Sequence, residues 1–276
     1  MPEAAVVPRS VVLDGVGLHS GAPCRVSLSR SEGPLVFGAE GREAAFDDLR
    51  VTRTDFGVEV SLGDGGPRID GIEHLAAALA GLSIRSGVRV LVSGGEVPLL
   101  DGGAAAFCRA LDELRAPEEP PRLVVRREDS VEVGASSYTF LAGESSSVVV
   151  DVQFDAPRIG AERASWDGSR AAFLGDVAWA RTFGFRRDAA ALLASGRARG
   201  ANAASVMILA DDGSVEAPGA AARPGEFARH KLLDFVGDAM LFGGPPRGAV
   251  HAVRPGHRAT REAFAAALER GILVVA

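Results

Sequence analysis

One histidine and two aspartates lie four residues apart in the segment EFARHKLLDFVGDAML, residues 226–241. On an α-helix His230, Asp234 and Asp238 would lie along one face, because residues four apart are neighbours on the helix surface. An imidazole nitrogen and a carboxylate oxygen one turn apart can bind the same metal ion, and both are donors suited to Zn²⁺. The spacing alone is weak evidence for a metal site, since a surface or structural pair has the same pattern.

Lys231 is the only lysine among 30 lysine and arginine residues, and it lies between two of these candidate ligands. An ammonium group is a compact point charge, whereas guanidinium is larger and planar, so the two are not interchangeable in a tight site. We therefore expect Lys231 to lie in an active site.

A second candidate element is DGIEHLAAALAGL, residues 70–82, which predicts a short helix with Asp70 as its N-cap. Its Glu73 and His74 would add a carboxylate base and a second histidine. Two histidines, one carboxylate and an open position for water are the usual composition of a hydrolytic zinc site. The alternative is that Glu73, three residues after Asp70, only belongs to a capping pair.

The other histidines differ in what their surroundings predict. His257 in VRPGHRA follows a Pro-Gly turn after a predicted strand, where a loop could present it to a cleft. The role of His19 in GVGLHSG stays open, because it could equally hydrogen-bond a glycine-rich turn. His251 in GAVHAV is interpreted as an ordinary strand residue.

The elements that must position these residues recur in two halves. A proline-rich, acidic segment at 114–125 predicts a boundary between domains 1–118 and 119–276. On each side the order is helix, strand, helix: 70–82 before GVRVLVSGG and GAAAFCRALDEL, and 226–244 before GAVHAVRPG and ATREAFAAALER. Alternating segments such as SSVVVDVQF predict further strands. We therefore predict an α+β fold of two similar domains, each a sheet packed on helices.

Composition limits the possible function. A chain of 276 residues that is 47% hydrophobic can bury a sizeable core, and its net charge of −6 argues against nucleic acid as a partner. Two distant cysteines do not predict a disulfide framework or a cysteine-rich zinc site. The N-terminus has no signal-peptide pattern and no segment is apolar for the ~20 residues of a membrane span, so we expect a cytoplasmic protein.

Six blocks in register carry a family resemblance: GVGLHSG, IEHLAAALAGL, EVPLLDGGAAAF, ARTFGF, EFARHKLLDFVGD and GHR. In these blocks the chain resembles the UDP-3-O-acyl-N-acetylglucosamine deacetylases, zinc-dependent enzymes of the committed step of lipid A biosynthesis. The resemblance implies two βααβ domains, each with a small insert, that enclose the active site between them. It also implies hydrolysis of the substrate's N-acetyl group to a free amine and acetate.

By the same resemblance, Glu73 is the general base, and His257, held by Asp238, is the general acid. The zinc ligands that it implies are His74, His230 and Asp234.

The resemblance further implies that Lys231 and Thr182 line the oxyanion and hexosamine region and that Phe183 lies beside the sugar. It places Arg254 at the diphosphate, and it places an insert that shields the acyl chain at about residues 180–212. We expect a monomer with at most transient contact with the inner membrane surface.

Four stretches depart from the family pattern: SIRSG at 83–87, DGG at 101–103, FDAP at 154–157 and RGANAASVMIL at 199–209. They bear on the contacts to UDP and to the acyl chain and remove no candidate metal ligand.

Two other functions remain alternatives. One is a non-haem enzyme that holds Fe(II) by two histidines and a carboxylate, with Fe²⁺ also possible as the deacetylase's native metal. The other is a non-catalytic paralogue that binds a nucleotide sugar or lipid.

Overall fold

The computed structural model describes residues 10–154, 159–201, 206–217 and 219–276. It shows the predicted α+β fold, in which sheets pack on helices. The elements of the first half, in chain order, are β1 (Ser10–Val16), β2 (Pro23–Pro34), β3 (Val36–Ala39), β4 (Arg42–Ala45), a 3₁₀ turn (Phe46–Asp48), β5 (Arg50–Arg53), β6 (Glu59–Ser61), β7 (Arg68–Ile69), α1 (Glu73–Gly81), β8 (Ser86–Ser93) and α2 (Ala105–Leu114).

The second half repeats the plan with a larger insertion. Its elements are β9 (Leu123–Val125), β10 (Asp129–Val133), β11 (Ser136–Leu141), β12 (Ser146–Gln153), β13 (Ala161–Trp166), α3 (Arg170–Ala172), a π-helical turn (Phe173–Val177), β14 (Phe183–Phe185), a 3₁₀ turn (Arg186–Asp188), α4 (Ala189–Ala194), β15 (Met207–Leu209), β16 (Val215–Glu216), α5 (Glu226–Met240), β17 (Gly248–Val253), α6 (His257–Glu269) and β18 (Leu273–Val275).

The two main sheets have the same topology. The first has the strand order β1-β2-β8-β3-β4 and the second β10-β11-β17-β12-β13. In each sheet, the strand that comes last in the chain (β8 or β17) lies in the centre, parallel to one neighbour and antiparallel to the other. The helix, strand, helix order predicted for both halves is therefore present as α1-β8-α2 and α5-β17-α6. The domain boundary at 118/119 stays a prediction.

Alternating side chains explain why these strands form half-buried sheets. Along β12 the side chains of Val148, Val150 and Val152 are buried, while the residues between them are more accessible. Successive side chains of a strand point to opposite faces, so this pattern packs one face on the helices and leaves the other outside.

Helices α1 and α5 form the most extensive contact between the two halves. All nine residues of α1 are buried, and α5 is buried along most of its length. At Gly237 a Cβ atom would lie 2.1 Å from the carbonyl oxygen of Glu73. Only glycine allows this approach, and α5 therefore crosses α1 directly at its candidate catalytic end.

The start of α1 corrects the expectation for Asp70. The helix begins at Glu73, and its N-cap residue, Ile72, provides no side-chain hydrogen bond. The carboxylate of Asp70 forms salt bridges with Arg53 and Arg197 instead. Asp70 was therefore wrongly predicted as the helix cap, because distant arginines compete for its oxygens.

The connecting segments agree with the sequence patterns in part. No helix or strand lies between the end of α2 at Leu114 and the start of β9 at Leu123. Helix α4 and strand β15 lie in the stretch 180–212 where the insert was predicted, although residues 202–205 of that stretch, and residues 155–157 of FDAP, lie outside the described residues. Residues 1–9 also lie outside them. Among the described helices, none is both long and apolar enough to cross a membrane.

Candidate active site

Two histidines and one aspartate from the two halves meet in a buried cluster. His74 of α1, with His230 and Asp234 of α5, places one potential ligand atom from each side chain within 4.8 Å of the other two. Oδ1 of Asp234 lies 3.7 Å from Nε2 of His74 and 3.5 Å from Nε2 of His230. The imidazole rings stand edge to face, with centroids 5.1 Å apart. The structure thus brings together the three side chains that the sequence suggested as metal ligands.

His230 is arranged to offer Nε2 as a lone-pair donor. Its Nδ1–H donates a hydrogen bond of 3.1 Å to the carbonyl oxygen of Ala180, which fixes the tautomer and the ring orientation. Burial lowers the pKa of His230 to about 4, so the ring is neutral at physiological pH. A neutral imidazole with Nε2 directed at a second histidine and a carboxylate is suited to bind a metal cation.

Lys231 compensates the charge of this cluster. Its Nζ donates a hydrogen bond of 2.8 Å to Oδ2 of Asp234. Burial by itself would raise the pKa of Asp234, but Lys231 and then His230 outweigh it and hold that pKa well below its usual range. The ammonium also lies 5.4 Å from the centroid of the Phe183 ring. The ammonium group of Lys231 therefore lies between the candidate ligand Asp234 and the aromatic ring of Phe183.

Glu73 lies beside ligand candidate His74 and is oriented by a backbone donor. The amide N–H of Val58 donates a hydrogen bond of 2.9 Å to Oε2 of Glu73. The carboxylate is therefore not used in a helix cap, which excludes the capping alternative. With Oε2 held in this way, Oε1 remains available as a proton acceptor.

His257 and Asp238 form a second pair next to the cluster. Nδ1 of His257 donates to Oδ1 of Asp238 over 2.8 Å, and both side chains are largely buried. Burial opposes protonation of the ring, but the charge and hydrogen bond of Asp238 prevail and raise the pKa of His257 to about 9. His257 is the first residue of α6 and not part of a free loop. It is an imidazolium at neutral pH with Nε2 free of Asp238.

An ion pair that sequence reasoning missed fixes the start of α5. Glu226 is fully buried and accepts from Nε and Nη2 of Arg181 over 2.7 and 3.0 Å. Because a forked guanidinium–carboxylate pair is directional, it fixes the segment containing Thr182 and Phe183 beside α5. The ring centroid of Phe183 consequently lies 5.8 Å from that of His230. The motif ARTFGF contained the arginine, but its partner is 45 residues away and no local pattern indicates it.

Arg254, a candidate residue, and His251, interpreted as a strand residue, are not part of the cluster. Arg254 follows β17 with a positive φ of 52° and has an exposed side chain. Together with Asp151 and Arg163 it lines an open cavity of about 320 Å³, and within the described residues its guanidinium forms no salt bridge. Nε2 of His251 donates a hydrogen bond of 2.7 Å to Oδ2 of Asp151 on the neighbouring strand, as expected for a strand residue outside the site.

His19 and the turn before β6 are further neighbours of Glu73. Nε2 of His19 lies 2.6 Å from the carbonyl oxygen of Phe56 and therefore donates to it. A Cβ atom on the next residue, Gly57, would lie 2.9 Å from Oε1 of Glu73 and 3.4 Å from Nε2 of His19. The sequence signals for this contact were weak, namely a histidine in a glycine-rich motif and an isolated glycine in DFGV.

Comparison with known proteins agrees with this geometry. Residues 5–269 match the family described as UDP-3-O-acyl N-acetylglycosamine deacetylase. The chain is also 35% identical, over 271 residues, to proteins named UDP-3-O-acyl-N-acetylglucosamine deacetylase from Brucella melitensis biotype 2 and from Brucella ovis. Each alignment covers 95% of this chain and 94% of the relative. The chain belongs to the UDP-3-O-acyl N-acetylglycosamine deacetylase family.

Proposed function

We propose that this protein hydrolyses the N-acetyl group of UDP-3-O-acyl-N-acetylglucosamine to a free amine and acetate, a step of lipid A biosynthesis. The observation that carries the proposal is the buried cluster of His74, His230 and Asp234 with Glu73 at its edge. Family membership and the names of the Brucella relatives support the substrate.

We propose Zn²⁺ as the metal and these three side chains as its ligands. The distances of 3.5 and 3.7 Å between donor atoms are close to the edge of about 3.3 Å expected for a tetrahedral site with ligands near 2 Å. Two imidazoles and one carboxylate fit the ion, and three protein ligands leave a position open. When bound, zinc would polarise the amide carbonyl and lower the pKa of a coordinated water to about 7.

In this proposal Glu73 is the general base. Its Oε1 accepts a proton from the attacking water while Oε2 stays hydrogen-bonded to the Val58 amide. The hydrogen bond restrains the orientation of the carboxylate, so the accepting oxygen is already in place. The positive charge of Lys231 stabilises the negative charge that develops on the amide oxygen.

His257 is the general acid. An amine is expelled efficiently only when it is protonated, and the imidazolium can deliver that proton from Nε2 because Nδ1–H is held by Asp238. Asp238 also stabilises the imidazolium before the transfer. Base and acid therefore come from different halves of the chain, Glu73 from α1 and His257 from α6.

The pH dependence of kcat follows from this assignment. His257 is protonated below its raised pKa of about 9, so we expect kcat to fall as the pH rises through about 9. Asp238→Asn removes the charge that raises this pKa and should move the alkaline limb to lower pH by roughly one unit or more. Profiles of kcat against pH for the two proteins measure the shift.

Asp151→Asn is the matched control, since Asp151 pairs with His251 and not with His257. Its alkaline limb should coincide with that of the wild type. An Asp238→Asn profile with an unmoved limb would remove His257 from the role of general acid.

For the substrate, we propose that Thr182 and Phe183 border the hexosamine and that Arg254 binds the diphosphate. The role of Arg254 is supported by its exposed side chain, which lies three residues before His257 in the sequence. The acyl chain would follow the apolar cluster that adjoins Phe183. That cluster is built on the buried side chains of Met207, Leu209 and Phe227.

The test is acetate release from UDP-3-O-acyl-N-acetylglucosamine by the purified protein loaded with Zn²⁺ or with Fe²⁺. We expect turnover in which one acetate is released for each free amine formed, without consumption of oxygen. Binding of substrate without turnover with either metal would favour a non-catalytic paralogue. Oxygen consumption dependent on Fe²⁺ would favour the non-haem oxygenase. The cytoplasmic location, monomeric state and transient membrane contact remain predictions.

A further inference from the structure

The turn at residues 56–58 determines the orientation of Glu73. Besides the hydrogen bond from its N–H to Glu73, Val58 accepts from the amides of Gly71 and Ile72 at 2.9 and 3.2 Å. This one residue thus contacts both the carboxylate and the two residues that lead into α1. A displacement of the turn would move the carboxylate with it.

The turn is held in place through the carbonyl of Phe56. The side chain of Phe56 is 61% exposed and contributes little anchoring, and its φ of +57° is unusual for a residue other than glycine. The carbonyl oxygen, in contrast, accepts from Nε2 of His19 at 2.6 Å and from Nη2 of Arg197 at 3.2 Å. This one oxygen therefore accepts from two donors, at positions 19 and 197, that are 178 residues apart in sequence.

Arg197 reaches this oxygen from the other half of the chain. It follows α4, its side chain is only 14% exposed, and its Nη1 lies 3.3 Å from Oδ2 of Asp70. The backbone of the same segment is attached to the loop after β1, because Arg199 donates to the carbonyl of His19 over 3.2 Å. A guanidinium can hold a carboxylate and a carbonyl at once because its donors are fixed in one plane.

We propose that Arg197 is a positioning residue for Glu73. By holding the Phe56 carbonyl and the Asp70 carboxylate together, it fixes the turn that donates the Val58 N–H to the base. The orientation of the Glu73 carboxylate in the first half therefore depends on the position of the segment after α4, which belongs to the second half. The proposal rests on the function proposed above, in which Glu73 accepts a proton.

The test compares Arg197→Ala with Arg199→Ala, which removes the same charge two residues away. The Arg199 guanidinium forms no hydrogen bond or salt bridge within the described residues. We expect Arg197→Ala to lower kcat by about tenfold or more, because misplacement of a reacting group by about 1 Å can cost about 100-fold. KM and metal content should change little, since the metal ligands lie on α1 and α5. Arg199→Ala should keep the wild-type kcat.

Hydrogen exchange supplies a readout that does not depend on activity. In the metal-free protein, Arg197→Ala should speed the amide exchange of Val58 and leave the amides of α5 protected. Arg197→Lys keeps the charge beside Asp70 but lacks the planar guanidinium that contacts two oxygens at once, so we expect an intermediate loss of kcat. It also serves as the second variant if the alanine protein does not fold.

The outcomes separate this proposal from the proposed function. A kcat of Arg197→Ala equal to that of the wild type would overturn the positioning role. A loss of metal, or a general loss of protection with no selective change at Val58, would also overturn it, because the residue would then be merely structural. If the wild type released no acetate, the proposed function would fail, while the exchange of Val58 would still show whether Arg197 holds the turn.

Discussion

Glu73→Gln is expected to lower kcat for acetate release by about 10²- to 10⁴-fold, the range a general base contributes. Glutamine has nearly the shape of glutamate, and its amide oxygen can still accept from the Val58 N–H, which now holds Oε2 of Glu73. The variant cannot accept a proton at the position of Oε1. Bound metal should remain, because Glu73 is not among the three ligand candidates. Steady-state kinetics together with metal analysis measure both effects.

Glu262→Gln is a suitable control, because Glu262 is exposed on α6 and the same chemical change is made away from the site. Its kcat should match that of the wild type. Wild-type turnover in Glu73→Gln would refute the role of Glu73 as base. A loss of metal in that variant would instead make Glu73 part of the binding site.

His230→Ala should abolish metal binding at stoichiometric protein concentrations and with it the activity. Loss of an outer partner of a metal ligand typically costs about 10- to 100-fold in affinity, and loss of a ligand itself should cost more. The remaining donors, His74 and Asp234, lie 3.7 Å apart and leave the ion with two protein ligands. Metal content after dialysis and competition with a chelator measure the loss.

His251→Ala provides the matched comparison, since His251 pairs with Asp151 outside the cluster. It should retain full metal content. A His230→Ala protein that also retained its full metal content would show that the ion binds elsewhere.

How far the site could be predicted depends on how local each contact is. The face shared by His230, Asp234 and Asp238 follows from the helical repeat alone, and α5 contains all three, although it ends at Met240 rather than at the predicted 244. The recurring order of helix, strand and helix likewise follows from hydrophobic patterns and from glycine and proline positions. The start of α1 was predicted too early, because Asp70 has the type of a cap but pairs with Arg53 and Arg197.

The family resemblance placed residues in roles but gave no distances between them. The contacts that make those roles possible join residues far apart in sequence, such as Val58 with Glu73, Ala180 with His230, and Arg181 with Glu226. Two of these three contacts use backbone groups, which every residue type offers. Sequence patterns therefore carried no signal for them.

The sequence by itself determined the helices that carry the site, α1, α5 and α6, and which of their side chains share a face, because helix geometry is set by neighbours within about four residues. Only the tertiary structure decided that His74 meets His230 and Asp234, and that His257 meets Asp238. The reason is that these distances depend on how closely two helices pack. Gly237, which lacks the Cβ that would meet the Glu73 carbonyl at 2.1 Å, allows α5 to reach α1 at the point where the two halves of the site combine.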